Sequence, residues 1–176
     1  MRRTLTFLTL FTLILFVGPG AATGKLHLTR SLGNQLVALP PLVDRQLRFS
    51  DIKGKTVIVT FFASWCPPCR AEFKELNRLA AIVKPGQLTI IAINVFEDWF
   101  GANDARLKAF LQQFAPKFHV VEGDENIKQA FNKVDRIPSL FLFDPEGAIR
   151  QQFTHRTGSG KRHLSAEELA TMVGSI

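Results

Sequence analysis

The 176-residue chain contains only two cysteines, Cys66 and Cys69, and they lie close together in the sequence. The six residues from Trp65 to Arg70 read Trp-Cys-Pro-Pro-Cys-Arg, between an apolar run rich in β-branched residues and a segment with helical periodicity. Two thiols three positions apart at the start of a helix can be oxidised and reduced without disturbing a core. This spacing predicts a redox dithiol.

The predicted position of the pair gives each sulfur a different role. If Cys66 is the N-cap, its sulfur faces unpaired amides and the positive end of the helix dipole, which stabilise a thiolate. Cys66 is then the nucleophile, and Cys69 is the shielded thiol that resolves the mixed disulfide. Pro67 and Pro68 suit a first helical turn, since the amides they lack would have no acceptor there. The missing amide of Pro68 also withdraws a donor from the Cys66 sulfur, which predicts a more reducing couple.

Three other roles of such a pair compete with the redox dithiol. Half of a zinc site is disfavoured because the chain has no second cysteine pair and its four histidines lack ligand-like spacing. A purely structural disulfide would stabilise the fold little, since so short a loop hardly constrains the unfolded chain. A copper carrier is the third alternative, although carriers on related scaffolds use a wider spacing with a nearby histidine.

The elements around the cysteines predict an α/β fold with a βαβ unit. Residues 56–62 form a β-favouring run typical of a strand buried on both faces. From Cys69 onward, apolar residues recur at helical spacing until Pro85 and Gly86, and Leu88 to Val95 form a second apolar strand. The cysteines therefore fall at the turn from a strand to a helix.

The second half of the chain continues the alternation. A helix capped by Asn103 or Asp104 is followed by a strand at residues 118–121, and Asp124 or Asn126 begins the next helix. Two strands, residues 139–143 and 148–153, form a hairpin around an Asp-Pro-Glu-Gly turn, and Ser165 with Glu168 caps a final helix. We expect a central mixed sheet flanked by helices.

The N-terminal region divides into two parts before a main domain at residues 51–176. Residues 1–22 have the basic start, apolar run and small residues of a secretory signal peptide, and the apolar run is shorter than the roughly 20 residues that span a bilayer. Residues 23–50 form an N-terminal extension for which we predict a short hairpin. The sequence therefore predicts export to the periplasm with a cleaved leader, and a membrane tether through an uncleaved leader is the alternative.

The formal net charge of +7 is spread along the chain. A nucleic-acid site would need a basic stripe with interleaved aromatics, whereas the basic segment 155–163 is rich in Gly and Ser and has no aromatic residue. We interpret this segment as a mobile loop and predict no nucleic-acid partner.

The segment from Phe61 to Glu72, which reads Phe-Phe-Ala-Ser-Trp-Cys-Pro-Pro-Cys-Arg-Ala-Glu, resembles the TlpA and ResA group of exported, thioredoxin-like thiol-disulfide oxidoreductases. The resemblance extends from about Asp51 to the C-terminus. It includes Gly54-Lys55 before the first strand, an added helix-strand insertion near residues 107–121 and Ile137-Pro138 before the hairpin. As a composite these features are specific, whereas Cys-x-x-Cys alone is weak.

The resemblance implies a thioredoxin fold and further site residues. In this family the residue matching Pro138 has a cis peptide bond beside the cysteines, which would present the backbone around Arg136 and Ile137 to a substrate strand. Glu97 matches an acidic residue near the active site and is a candidate to relay the proton that Cys69 must lose. A second acidic residue is relevant because Thr60 occupies the position at which ordinary thioredoxins carry a buried Asp.

The candidate substrate-binding residues surround the nucleophile. They are Trp65, Pro67, Pro68, Ile137 and Pro138, with Trp65 expected to offer an exposed docking surface. Trp99 and Phe100, by contrast, are expected to be core residues or a loop anchor.

The sequence predicts a monomeric exported enzyme that reduces disulfides in protein substrates, without bound metal or organic cofactor. In an oxidising compartment such a reductant needs electrons from elsewhere, so a membrane thiol-electron donor is an expected partner. The resemblance suggests cytochrome c maturation as one pathway. Alternatives are a disulfide-introducing oxidant, a thiol peroxidase, and, in another class, a redox-inert chaperone or a metal carrier.

Overall fold

Five strands form one mixed sheet in the computed structural model of the protein, which describes residues 25–101 and 103–174. In chain order the elements are α1 (Arg30–Ala38), α2 (Phe49–Ile52), β1 (Thr56–Phe62), α3 (Pro67–Ile82), β2 (Leu88–Asn94), a 3-10 turn (Trp99–Gly101), α4 (Asp104–Phe114), β3 (His119–Glu122), α5 (Glu125–Ala130), β4 (Ser139–Phe143), β5 (Ile149–Thr154) and α6 (Ala166–Gly174). The predicted α/β class, with α4 and β3 as the insertion, is confirmed.

The sheet has the strand order β3-β2-β1-β4-β5. β1 runs parallel to β2 and antiparallel to β4, while β3 continues the parallel side and β5 the antiparallel side. All seven residues of β1 are buried, because strands flank both of its edges and apolar side chains pack on both of its faces. The C-terminal end of this central strand leads directly into the Cys66 turn.

Two hydrophobic clusters cover the two faces of the sheet, and aromatic rings dominate both. Alternate β1 residues point to opposite faces, so Phe62 joins the cluster of α3, α4 and α6, while Phe61 joins the cluster of α1 and α5. On the α3 side, the Phe73 ring centroid lies 4.5 Å from that of Phe62 and 4.8 Å from that of Phe110. Contacts of this kind hold α3, and with it the cysteines, against the sheet.

The predicted hairpin at residues 23–50 is wrong, because residues 30–38 form helix α1. The Thr29 hydroxyl caps this helix by accepting a hydrogen bond from Leu32 N at 3.2 Å. Leu32 and Leu36, four positions apart, turn one face of α1 to the buried cluster. The extension therefore packs against the sheet.

The extension also covers an edge of the sheet. Along the outer side of β3, Leu42 N donates to Val120 O and Glu122 N donates to Pro40 O, both at 2.8 Å. Pro41 and Val121 form an isolated antiparallel bridge between these two hydrogen bonds. The backbone groups of this edge strand are therefore partly satisfied by residues 40–42.

Several local predictions are confirmed. Asn103 and Asp124 accept backbone hydrogen bonds as the N-caps of α4 and α5. Ser165 and Glu168 exchange the two hydrogen bonds of a capping box at the start of α6. The predicted signal peptide of residues 1–22 lies outside the described residues. Within the described ranges, no helix combines the length and apolar character that crossing a bilayer requires.

Gly147, in the turn between β4 and β5, has a φ of 88°. A Cβ at this position would lie 2.6 Å from Leu28 O, so Gly147→Ala combines an unfavourable backbone with a clash. We expect this substitution to lower the free energy of unfolding by about 1–3 kcal/mol in urea titrations. Gly160→Ala is the matched control, because Gly160 has open space around its Cα and no positive φ, and its effect should stay within about 0.5 kcal/mol. Equal losses in the two variants would contradict the role assigned to the turn.

Candidate functional site

Cys66 and Cys69 form a disulfide at the N-terminus of α3, with their Cα atoms 5.3 Å apart. Cys66 is the N-cap, and its sulfur accepts a hydrogen bond from Cys69 N at 3.3 Å. Pro67 and Pro68 occupy the first two helical positions, as predicted. A helix cap therefore places the first sulfur at the positive end of the α3 dipole.

The two cysteines differ in their access to the surface. Cys69 is completely buried, which agrees with a shielded resolving thiol. Cys66 is only 3% exposed in this disulfide form, less than expected for a nucleophile, but it lines a surface groove of about 350 Å³. Cys66 therefore borders this groove, whereas Cys69 does not line it.

The groove, called the Cys66 groove below, runs between the start of α3 and three loops. Its lining residues are Trp65, Cys66, Pro67, Pro68, Phe96, Trp99, Phe100, Asp135, Arg136, Ile137, His155 and Thr157. Four of the five candidate substrate-binding residues thus lie in one place, and the fifth, Pro138, follows Ile137 directly. The groove therefore unites segments that are far apart in the sequence, from Trp65 to Thr157.

The Ile137–Pro138 peptide bond is cis, as the family resemblance predicted. Ile137 lines the Cys66 groove beside the disulfide, and Pro138 O accepts a hydrogen bond from His155 N at 2.9 Å. The backbone of Arg136 is also engaged, because its carbonyl accepts a hydrogen bond from the Ser139 hydroxyl at 2.8 Å. The two hydrogen bonds hold the loop before β4 in shape, and Ile137 brings this loop to the groove that Cys66 lines.

Aromatic side chains form the other side of the groove. The Trp65 indole donates from Nε1 to Phe96 O at 2.7 Å and stacks on Trp99 with 6.3 Å between ring centroids. Phe100 lies against Trp65 at 4.8 Å. Of the two expected roles, core residue or loop anchor, the first is wrong for Trp99 and Phe100, since they are 49% and 79% exposed. Their ring contacts with Trp65 agree with the second role. Apolar residue type alone did not reveal that their loop faces outward.

Glu97 lies beneath the loop that carries the cysteines. Its Oε2 accepts hydrogen bonds from Ser64 N at 2.9 Å and Asn94 Nδ2 at 2.8 Å, and its Oε1 accepts one from the Ser64 hydroxyl. Because Ser64 is two residues before Cys66, this carboxylate ties the end of β2 to the approach to the active turn. The hypothesis that Glu97 relays a proton stays a prediction.

The structure adds Glu72, which sequence reasoning quoted in the motif but did not assign to the site. Glu72 follows Cys69 by three positions on α3, so the two residues share a helix face, and both are completely buried. Thr60 donates from its hydroxyl to Glu72 Oε2 at 2.7 Å, and among the described residues Glu72 Oε1 has no hydrogen-bond partner. An acidic residue on an apolar helix face was the signal available in the sequence.

The environment of Glu72 changes its proton affinity. Burial raises the pKa of the Glu72 carboxyl from its usual 4.5 to about 7, while the hydrogen bond from Thr60 lowers this pKa in part. A carboxyl with this pKa exchanges a proton readily near neutral pH. One helical turn from a buried thiol, it is suited to receive the proton that the thiol releases.

Residues 27–168 match the family model for Redoxin. The chain belongs to the Redoxin family. The match begins upstream of the main domain predicted from residue 51 and includes all of α1, which agrees with the packing of the extension against the sheet.

Two curated relatives of this Redoxin chain are both named thiol-disulfide oxidoreductase ResA. The chain is 32% identical to the thiol-disulfide oxidoreductase ResA of Geobacillus kaustophilus over 66% of this chain and 64% of the relative. The thiol-disulfide oxidoreductase ResA of Bacillus subtilis is 30% identical over 60% of this chain and 56% of the relative. The matched region thus spans less than two thirds of these relatives, and the resemblance to the TlpA and ResA group is confirmed.

Solved structures confirm the thioredoxin-like fold of this Redoxin chain. A thiol:disulfide interchange protein of the thioredoxin family from Chlorobium tepidum has a TM-score of 0.65 at 22% identity, over 77% of this chain and 89% of that one. A secreted disulfide oxidoreductase from Mycobacterium tuberculosis has a TM-score of 0.63 at 20% identity, over 81% and 98% of the two chains.

Proposed function

We propose that the protein is a thiol-disulfide oxidoreductase that reduces disulfides in protein substrates. The observation that carries this proposal is the disulfide at the N-terminus of α3, of which Cys66 alone lines a groove beside the cis Ile137–Pro138 bond. A sulfur at the rim with a second sulfur behind it is the arrangement that exchange through a mixed disulfide requires. The names of the ResA relatives support the same reaction class.

The reaction starts from the reduced protein and has two balanced steps. The Cys66 thiolate attacks one sulfur of the substrate disulfide, so a mixed disulfide forms and the other substrate sulfur leaves as a thiolate that takes up a proton. Cys69 then loses its proton and attacks the Cys66 sulfur. The Cys66–Cys69 disulfide forms, and the second substrate sulfur leaves and is protonated. The substrate gains two electrons from the protein and two protons, of which Cys69 releases one and Cys66 released the other to solvent when it became a thiolate.

The substrate segment is proposed to lie between α3 and the loop before β4. Trp65, Pro67 and Pro68 would contact it on the helix side. The backbone around Arg136 and Ile137, presented by the cis bond to Pro138, would hold it as an extended strand on the other side.

The direction of electron flow follows from the two prolines. Pro67 and Pro68 have no amide hydrogen, and among the described residues the Cys69 amide is the hydrogen-bond donor to the Cys66 sulfur. Fewer donors stabilise the thiolate less, and a less stable reduced form makes the couple more reducing. We therefore favour reduction, with a membrane thiol-electron donor, export to the periplasm and cytochrome c maturation as the proposed setting.

Resolution requires a group that takes the proton from Cys69, and two carboxyls are candidates. Glu72 is favoured because it is completely buried, lies one helical turn from Cys69 and has a pKa of about 7 with one unpartnered oxygen among the described residues. Glu97, the residue that the family resemblance indicates, accepts three hydrogen bonds and is better suited to position Ser64. The pH dependence of resolution in Glu72→Gln and Glu97→Gln variants separates the two roles.

Redox equilibration tests the proposed direction. We expect the Cys66–Cys69 couple to lie well below the oxidising value of about −180 mV, and the protein to reduce insulin with dithiothreitol as electron donor. A potential near or above that value would indicate an oxidant instead. Rapid consumption of peroxide by Cys66 would indicate a thiol peroxidase. Retention of copper or zinc through dialysis, without insulin reduction, would indicate a metal carrier.

A further inference from the structure

Two exposed aromatic side chains stand beside the Cys66 groove. Among the described residues, three large hydrophobic side chains are exposed, and they are Ile82, Trp99 and Phe100. Two of the three line the groove, and Phe100 is the most exposed of them. Exposed apolar groups that cluster at a cleft, and are not scattered singly, indicate a binding surface.

The loop that carries these side chains is held in an unusual conformation. Phe96 and Phe100 have φ values of 57° and 56°, in the left-handed region that non-glycine residues seldom adopt. Trp65 fixes the loop from below by donating to Phe96 O, and the Lys128 ammonium lies 4.5 Å from the centroid of the Phe96 ring. Trp99 packs on Phe96 with 4.6 Å between centroids. Strain retained at such a position is typical of functional sites.

We propose that Trp99 and Phe100, here called the aromatic wall, bind a bulky apolar side chain next to the reactive cysteine of an extended substrate segment. This inference rests on the proposed exchange at Cys66. Because Cys66 lines the same groove, a substrate sulfur that reaches it brings neighbouring substrate residues against the wall. The wall thus selects the substrate class, namely polypeptides with an aromatic or large aliphatic residue beside the cysteine.

The dimensions of the site favour a peptide segment over larger partners. A groove of about 350 Å³ accommodates a few side chains. Two aromatic side chains offer much less surface than the roughly 800 Å² per partner that a stable dimer buries. The disulfide in the groove also demands an occupant that carries sulfur, which a lipid surface does not supply.

Single-turnover kinetics with activated peptides test the wall without depending on the direction of electron flow. Three reagents are used, each a mixed disulfide between a thiol and 2-thiopyridine. The thiols are a peptide with Phe beside its cysteine, the same peptide with Ser in place of that Phe, and 2-mercaptoethanol. Each reacts with the reduced Cys69→Ser protein, in which Cys66 attacks once and releases pyridine-2-thione. The absorbance of the released thione gives the rate of attack.

We expect the Phe peptide to react faster than the Ser peptide. The added substitutions Trp99→Ser and Phe100→Ser together should slow the Phe peptide about 10-fold, the loss expected for two aromatic contacts. The rates of the Ser peptide and of 2-mercaptoethanol should stay within about 2-fold. Phe100→Ser alone, at the more exposed position, provides a milder variant with a smaller loss in the same direction.

Ile82→Ser is the matched control, because Ile82 is an exposed apolar residue at the far end of α3 and outside the groove. It should leave all three rates unchanged. Equal rates for the two peptides, or an equal slowing of all three reagents by the wall variants, would overturn the proposal. Failure of Cys66 to react even with the mercaptoethanol reagent would instead overturn the proposed thiol exchange, and this inference with it.

Discussion

Replacing Cys69 with serine is expected to reduce turnover to the uncatalysed rate while leaving the first attack by Cys66 intact. The reason is positional, since Cys66 lines the groove and Cys69 lies completely buried behind it. Without the resolving thiol, the mixed disulfide on Cys66 has no intramolecular route to release. Non-reducing electrophoresis and mass spectrometry should therefore show substrate proteins trapped on Cys69→Ser.

Cys66→Ser is the matched variant for this experiment. It retains a buried thiol and the same helix but loses the sulfur at the groove, so we expect neither turnover nor trapped substrate. Adducts on Cys69 in that variant, formed as fast as those on Cys66, would show that the roles of the two sulfurs are wrongly assigned. The proteins captured by Cys69→Ser would also identify the physiological clients and test the proposed cytochrome c pathway.

Glu72 should make the stability of the protein depend strongly on pH. Its pKa is 4.5 when unfolded and about 7 when folded, so the folded state binds more protons between these values. The stability that Glu72 contributes is therefore fully present below pH 4.5 and is lost as the pH rises through 7. The expected loss from this one carboxyl between about pH 4 and pH 8 is about 3 kcal/mol. Urea unfolding across this range measures it.

Glu72→Gln should remove this part of the pH dependence. The absolute stability is a less direct readout, because the new amide leaves a buried donor that costs about 1–3 kcal/mol if it finds no partner. Glu146→Gln changes the formal charge by the same amount on an exposed turn, and it should retain the full slope of the wild type. Thr60→Val removes the hydrogen bond that lowers the pKa of Glu72. In this variant the midpoint of the pH-dependent loss of stability should therefore move to higher pH.

The same variants test proton transfer. A positioned general base typically contributes a factor of about 100 to 10,000, so Glu72→Gln should slow the release of a mixed disulfide on that scale near neutral pH. A normal rate of release in Glu72→Gln, together with an altered pH profile in Glu97→Gln, would transfer the role to Glu97.

Local signals in the sequence were sufficient for most of the fold and for the centre of the site. The burial of β1, the N-cap at Cys66 and the capping box of α6 depend on residue types within a few positions of each other, and these predictions are confirmed. The cis bond at Pro138 required the family resemblance, because most Ile-Pro bonds are trans.

The sequence predictions differ from the structure where long-range packing determines the conformation. Helix α1 was predicted as a hairpin because its apolar face is short and gains its stability from the sheet. For Trp99 and Phe100 the sequence predicts core residues or a loop anchor, because apolar type does not indicate which way a loop points. The buried Glu72 was not assigned to the site because only the tertiary structure reveals that Thr60 faces it.

The segment of residues 40–42 along β3 has a consequence for the solution behaviour of shortened chains. An uncovered strand offers its free amides and carbonyls to the same strand of another molecule, and stacking of this kind leads to fibrous aggregates. A fragment beginning at residue 51 would lose the two hydrogen bonds that shield β3 and the leucines of α1. We therefore expect the N-terminal extension to limit polymerisation through the β3 edge of the sheet.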